Sequence, residues 1–285
     1  MEAKKINIQL SDGASTEVSL FEHTQPRALI LLFTAMGVEA RYYKPFATEL
    51  SKAGYQVVTV DYRGNGGSSI RPNRKTDYGY ETIVTIDYAE AIKYMHQQFP
   101  NLPILYLGHS LGGQLSGLYA AREPGKVVGL IQVACSSVFY KNYPGQERGA
   151  WFATRFFDKI ARLRGFFPGK VVGFGGKESM TVMRDWCIQG KTGRYELANS
   201  SFDYESALSK LNIPLLAIGV ANDHLAPTPA REHLHAKFHP DSPQTHIEWS
   251  EKTTGRSDLN HFNWARKPDG LIPFFTEWID QQIAG

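Results

Sequence analysis

The stretch ILYLGHSLGGQLSGLYAAR (104–122) constrains this chain most tightly, because its two halves demand different secondary structure on either side of one serine. The apolar run at 102–107, which includes Pro103 near its start, has strand length and too few residues for a helix. Residues 113–122 then take helical spacing, offering Leu115, Leu118, Tyr119 and Ala121 to a buried face, and the pattern stops at Pro124-Gly125. Between the two, Gly108, Ser110 and Gly112 spell G-x-S-x-G. A strand that turns into a helix within one residue strains that residue's backbone, and a side chain at Gly108 or Gly112 would collide with the neighbouring strand and helix. The spacing predicts a sharp elbow that lifts the Ser110 hydroxyl clear of the backbone. An incidental serine in a glycine-rich turn is the bland alternative, and the flanking strand and helix argue against it.

The rest of the chain repeats this alternation. Residues 6–10 and 16–21 read as a hairpin across Ser11-Asp12-Gly13, and ALILLFTA (28–35) is a continuous apolar run suited to a strand buried on both faces. A helix at 42–53 ends at Gly54, YQVVTVDY (55–62) is a strand, and the loop RGNGGSS leads to a helix at 80–99. Further strands are expected at 126–135, 213–220 and 245–250, with helices at 229–238 and 271–283. The predicted fold class is therefore α/β: a mostly parallel central sheet flanked by helices.

Residues 136–203 break the alternation and are loaded with aromatic side chains. Their grouping in WFATRFFDKIARLRGFF suggests short amphipathic helices. The expected organisation is a core of residues 1–135 and 204–285 with a helical cap inserted at 136–203. Most of the rings should pack as core. Phe139, Tyr140, Trp151 and Trp186, with His109 and Phe262, are the candidates for lining a substrate pocket.

A serine hydroxyl needs a base and an orienting acid before it can attack a carbonyl. In a parallel sheet these should lie just past the C-terminal ends of strands. Asp223 follows the strand at 213–220, and His261 follows the strand at 245–250 and precedes the last helix. The order Ser110, Asp223, His261 is the one expected after a G-x-S-x-G elbow. Asp258 is the reserve acid, and His224 and His246 are the reserve bases.

A formal charge of +3, with basic residues scattered along the chain, makes no electrostatic case for nucleic acid. The opening residues MEAKKINIQLSDG pass straight into a strand pattern, and no segment has the length of a membrane span. Cys135 and Cys187 lie far apart and outside any CxxC pattern, which suggests reduced thiols and a cytoplasmic location. The glycines of RGNGG lack the lysine and the helix start that a phosphate loop requires.

On GHSLGG, DYRGNGGSS and the segment TAMGVEARYYKPFATELSKAGYQVVTVDYRGNGGSS, the chain resembles the α/β-hydrolase superfamily and, within it, the monoglyceride-lipase and lysophospholipase branch. Its T-G-V type loop and the motifs Pro168-Gly169-Lys170 and Met183-Arg184-Asp185-Trp186 make it similar to a bacterial group of predicted α/β hydrolases. The resemblance implies an oxyanion hole built from the backbone N–H groups of Met36 and Leu111. Where the branch usually has His-Gly, this chain has Thr34-Ala35, so the usual histidine brace is absent and the Thr34 hydroxyl is the one local group that could substitute for it.

The expected activity is a serine hydrolase of carboxylic esters with an apolar acyl group, acting through an acyl-enzyme on a small-molecule substrate. It needs neither metal nor organic cofactor. An acyltransferase, thioesterase, amidase or peptidase would use the same triad, and a non-catalytic binding protein on the same fold would not need one.

Overall fold

The structure is a computed structural model and describes residues 2–284. Among these residues the strands are β1 (Lys4–Gln9), β2 (Ser15–Phe21), β3 (Leu29–Phe33), β4 (Gln56–Val60), β5 (Ile104–His109), β6 (Gly129–Val133), β7 (Phe167–Pro168), β8 (Lys177–Glu178), β9 (Leu215–Val220) and β10 (Gln244–Trp249). Eight of them form one sheet in the order β1-β2-β4-β3-β5-β6-β9-β10. β2 runs antiparallel to both neighbours, and from β4 to β10 every pairing is parallel.

The apolar run at 28–35 becomes β3 at the centre of this sheet, with Leu31 paired to Val58 on one side and Tyr106 on the other. Leu29, Leu31 and Phe33 join the core on one face, while Ile30 and Leu32 join the core on the opposite face. Burial on both faces explains why the strand itself, Leu29–Phe33, carries no polar residue. On one face lie the helices Lys44–Lys52 and Ile272–Ile283, anchored by Phe46, Leu50, Phe275 and Ile279. The helices Ala89–Gln98 and Leu111–Arg122 cover the other through Ile92, Met95, Leu115 and Leu118.

After β3 the chain moves to β4 on one side, and it later returns to β5 on the other side. Such a reversal opens a crevice at the C-terminal ends of the two adjacent strands, the usual place for a site in an open α/β sheet. Here the loop carrying Met36 leaves β3 and Ser110 leaves β5.

The helix expected at 80–99 contains a π-helical segment, Ile83–Tyr88, between Tyr80–Thr82 and Ala89–Gln98. Asp87 sits in that segment and grips the loop after β4. Its carboxylate accepts the Arg63 backbone N–H at 2.8 Å and the guanidinium at 2.6–3.0 Å, and both residues are buried. The RGNGG turn is thus held by an internal ion pair.

Between β6 and β9 the aromatic-rich segment forms the helices Glu147–Arg164 and Met180–Thr192, with β7 and β8 paired between them. The first is one 18-residue helix rather than the short helices expected. From Ala150 to Arg164 no glycine or proline interrupts it, and Gly165, at φ 84°, ends it in the left-handed region. Asp185 ties the second helix to the core by accepting the N–H groups of Tyr80 at 2.8 Å and Ala198 at 2.6 Å; burial pushes its carboxyl up to about 7. Both cysteines are buried and unpaired, and burial pushes both thiols up. Among the described residues no helix is long and apolar enough to cross a membrane.

Candidate active site

Ser110 has φ 51° and ψ −118°, a conformation that L-residues avoid. It is the elbow read from the sequence, and the two glycines are there for contact reasons. A Cβ on Gly108 would lie 2.2 Å from Gly113 Cα, and one on Gly112 would lie 2.3 Å from the Phe33 carbonyl oxygen. The Ser110 N–H donates to Val133 O at 3.0 Å, pinning the turn to β6. Ser110 Oγ makes no hydrogen bond among the described residues, and it opens onto a cavity of about 560 Å³ that His261 also lines.

Asp223 follows β9 and is buried. Its Oδ1 accepts the N–H groups of Leu225 at 2.9 Å and Ala226 at 3.3 Å, which aims Oδ2 at His261 Nδ1, 2.8 Å away. The histidine loop holds itself: Asn260 Oδ1 accepts from Phe262 and Asn263, and Asn263 Oδ1 accepts the Asn260 N–H at 2.8 Å. Trp264 Nε1 donates to the His261 carbonyl at 3.1 Å.

None of the reserve groups makes such a pair. Asp258 points to solvent and bonds Arg256 at 3.0 Å. His224 is exposed at the cavity rim, and His246 lies on β10 beside Gln244. Among the described residues no group of three His, Cys, Asp or Glu side chains is placed to hold a metal ion.

Met36 and Leu111 line the same cavity as Ser110. The loop that carries Met36 is braced, but not by Thr34, whose buried hydroxyl has no partner among the described residues. Tyrosines do the bracing. Tyr43 OH accepts the Ala35 N–H at 3.0 Å, and Tyr62 OH accepts the Gly37 N–H at 3.1 Å. Their hydroxyls arrive from a helix entry and a strand end distant in sequence, so no local pattern around Thr34 announces them.

Of the six pocket candidates, Trp186 and Phe262 line the cavity, while His109, Phe139, Tyr140 and Trp151 do not. Helical period explains the loss of Trp151. The face of Glu147–Arg164 turned to the cavity carries Ala150, Ala153, Thr154 and Phe157, an i, i+3, i+4, i+7 stripe, which sends Trp151 elsewhere, 37% exposed, with the Arg155 guanidinium over its ring. Phe139 and Tyr140 pack on each other, 5.4 Å apart, with Phe139 also against His233. His109 is fully buried beneath the site, its Nδ1 2.7 Å from Tyr43 OH, and burial holds it well below the usual histidine range. Phe157, Phe174 and Gln114 line the cavity and were not singled out from the sequence. The stripe at 150, 153, 154 and 157 was readable, but small Ala and Thr side chains hid it among larger rings.

The family model for serine aminopeptidases of the S33 group (Hydrolase_4) matches residues 24–185, more than half of the chain. The chain belongs to the S33 serine aminopeptidase family. Within this S33 chain, a stretch is 28% identical over 109 residues to monoglyceride lipase of Homo sapiens, covering 38% of the chain and 35% of the relative. Over 108 residues the chain is 29% identical to monoacylglycerol lipase of Mycolicibacterium smegmatis, covering 38% of each. The match thus spans little more than a third of the length of these relatives. The α/β hydrolase GrgF from Penicillium sp. sh18 superposes with a TM-score of 0.68 at 14% identity over 100% of both chains. The protein lip1 from Acinetobacter baumannii AYE superposes with a TM-score of 0.63 at 15% identity, over 98% of this chain and 92% of that one. The S33 chain has the α/β-hydrolase fold. The family match covers Ser110 and ends before Asp223 and His261, so those two rest on geometry.

Proposed function

We propose that this S33-family protein is a serine hydrolase that cleaves carboxylic esters of small-molecule substrates through Ser110, His261 and Asp223. The observation that carries the reading is the buried Asp223 Oδ2 to His261 Nδ1 contact of 2.8 Å on the cavity that holds the strained Ser110. Asp223 holds the imidazole with its proton on Nδ1, which leaves Nε2 free to take the serine proton. Ser110 Oγ bonds to the acyl carbon, and the negative charge moves to the carbonyl oxygen, where the N–H groups of Met36 and Leu111 receive it. His261 gives its proton to the leaving alcohol, and water attacks the acyl-enzyme by the reverse sequence, releasing the acid. Residues 136–203 act as the cap: Ala153, Phe157, Phe174 and Trp186 from this segment supply apolar walls for the acyl chain.

The test pairs a fluorophosphonate probe with Ser110→Ala. Wild type should be labelled and should hydrolyse p-nitrophenyl esters, and the variant should do neither while unfolding at the same temperature. Ester turnover retained in the variant would remove Ser110 as nucleophile. Running thioesters and amino-acid amides beside the esters assigns the leaving group the site prefers.

A further inference from the structure

The cavity contains a hydrogen-bond donor that the ester chemistry above does not use. Gln114 lies one helical turn beyond Ser110 on Leu111–Arg122, its N–H bonded to Ser110 O at 3.2 Å, and its side chain is buried yet lines the cavity. Tyr195 OH donates to Gln114 Oε1 at 2.9 Å. Burial raises the Tyr195 hydroxyl well above its ordinary range, so it remains a donor and fixes which way the amide faces. The Nε2 end has no protein partner among the described residues, and it is not among the polar atoms sealed from solvent. An oriented amide with one satisfied end and one end open to a mostly apolar cavity is arranged to meet a ligand, since a ligand that seals this donor from water without offering an acceptor incurs a desolvation penalty.

Two further observations define the ligand group. No Asp, Glu, Lys or Arg side chain among the described residues lines the cavity, so the acceptor that fits is neutral. Position decides which half of the substrate carries it. Tyr195 packs in the core on one face of the sheet with Leu111 and Leu115, whereas His261 is bonded by Trp264 of the opposite core. His261 protonates the leaving group, so the leaving group lies on its side and Gln114 faces the acyl side.

We propose that Gln114 is a specificity-determining residue whose Nε2 donates to a neutral oxygen (ether, carbonyl or hydroxyl) on the acyl chain of the substrate. This rests on the ester-hydrolase reading above and sharpens it: the acyl group is oxygen-bearing rather than plain hydrocarbon. One helical turn advances about 5.4 Å, so the oxygen sits roughly three to five atoms from the reacting carbon.

Matched esters test this. p-Nitrophenyl ω-methoxypropanoate and pentanoate have the same number of non-hydrogen atoms, as do ω-methoxybutanoate and hexanoate, and each pair exchanges one methylene for oxygen. The readout is the ratio of kcat/KM for ether over alkyl ester. Gln114→Met keeps the length of the side chain and should lower that ratio about tenfold in at least one pair. Tyr195→Phe leaves the amide present but free to turn, and should lower it by a smaller factor. A purely structural role for Gln114 would change both members of a pair equally and leave the ratio constant. A constant ratio in both variants, with Ser110 still labelled by fluorophosphonate, overturns this proposal and spares the ester-hydrolase reading. No turnover of any ester and no labelling overturns both.

Discussion

The Tyr43 hydroxyl lies 2.7 Å from His109 Nδ1 while accepting the Ala35 N–H at 3.0 Å, so one buried oxygen joins the loop after β3 to the residue before Ser110. Burial keeps His109 neutral, so its Nδ1 and the Tyr43 hydroxyl share a single hydrogen bond whose donor is set by the imidazole tautomer. The brace is not the neighbouring Thr34 hydroxyl but a tyrosine from the entry of the helix Lys44–Lys52.

Tyr43→Phe should leave two buried polar groups without a partner and cost on the order of 1–3 kcal/mol of stability. The loop that carries Met36 should loosen with it, lowering kcat for ester hydrolysis more than it raises KM. Urea unfolding and steady-state kinetics on one variant check both, and wild-type behaviour in the two assays would dismiss the brace.

Asp223→Asn should reduce turnover on the order of 10⁴-fold, because an amide at this position no longer favours the imidazole tautomer with the proton on Nδ1. Asp258→Asn should stay within a few-fold of wild type, since Asp258 meets Arg256 and Lys267 at the surface. If Asp258→Asn proves the more damaging substitution, the acid has been misassigned.

Asp87→Ala should destabilise the protein by about 3–5 kcal/mol, as Arg63 would then stay buried with its main counter-charge removed. Asp12 also meets Arg63, at 2.8 Å, but its side chain is 31% exposed, so Asp12→Asn should cost under about 1 kcal/mol. Thermal unfolding of the two variants side by side measures the difference, and equal losses would count against the internal ion pair as the dominant contact.

Glu178 is fully buried, and burial pushes its carboxyl from 4.5 up to about 7 against the opposing Gly176 N–H, which Oε1 accepts at 2.9 Å. The folded state therefore favours the protonated form. That contribution is complete below the unfolded pKa and is lost as pH rises through about 7. Glu178→Gln keeps an acceptor for Gly176 without the charge. Relative to this variant, wild type should lose on the order of 3 kcal/mol between acidic and mildly alkaline pH. The readout is the difference in unfolding free energy between the two proteins across that range, and a flat difference would refute it.

What could be read along the chain was whatever neighbours in sequence impose on one another. The strand-to-helix switch at Ser110 and the need for glycine at 108 and 112 follow from local sterics, and the structure shows the contacts that make them necessary. The apolar run at 28–35 announced a strand buried on both faces, and that strand is β3 (Leu29–Phe33). The placement of Asp223 and His261 after the last two strands of the sheet followed from chain order alone.

Choices among similar residues were different, because they depend on which segments meet across the fold. Asp258 is only three positions from His261 and yet points to solvent, whereas Asp223, 38 positions away, reaches Nδ1. Aromatic composition marked 136–203 as a segment of its own but could not say which rings face the cavity, since that depends on how the helix Glu147–Arg164 is rotated once it packs. Gln114 reads in sequence as one polar residue on a helix, and its orientation comes from Tyr195, 81 positions downstream. The sequence by itself determined the local backbone, because torsional and steric rules act over a few residues. The partners that position the site were decided by tertiary packing, which brings together side chains that no short window contains.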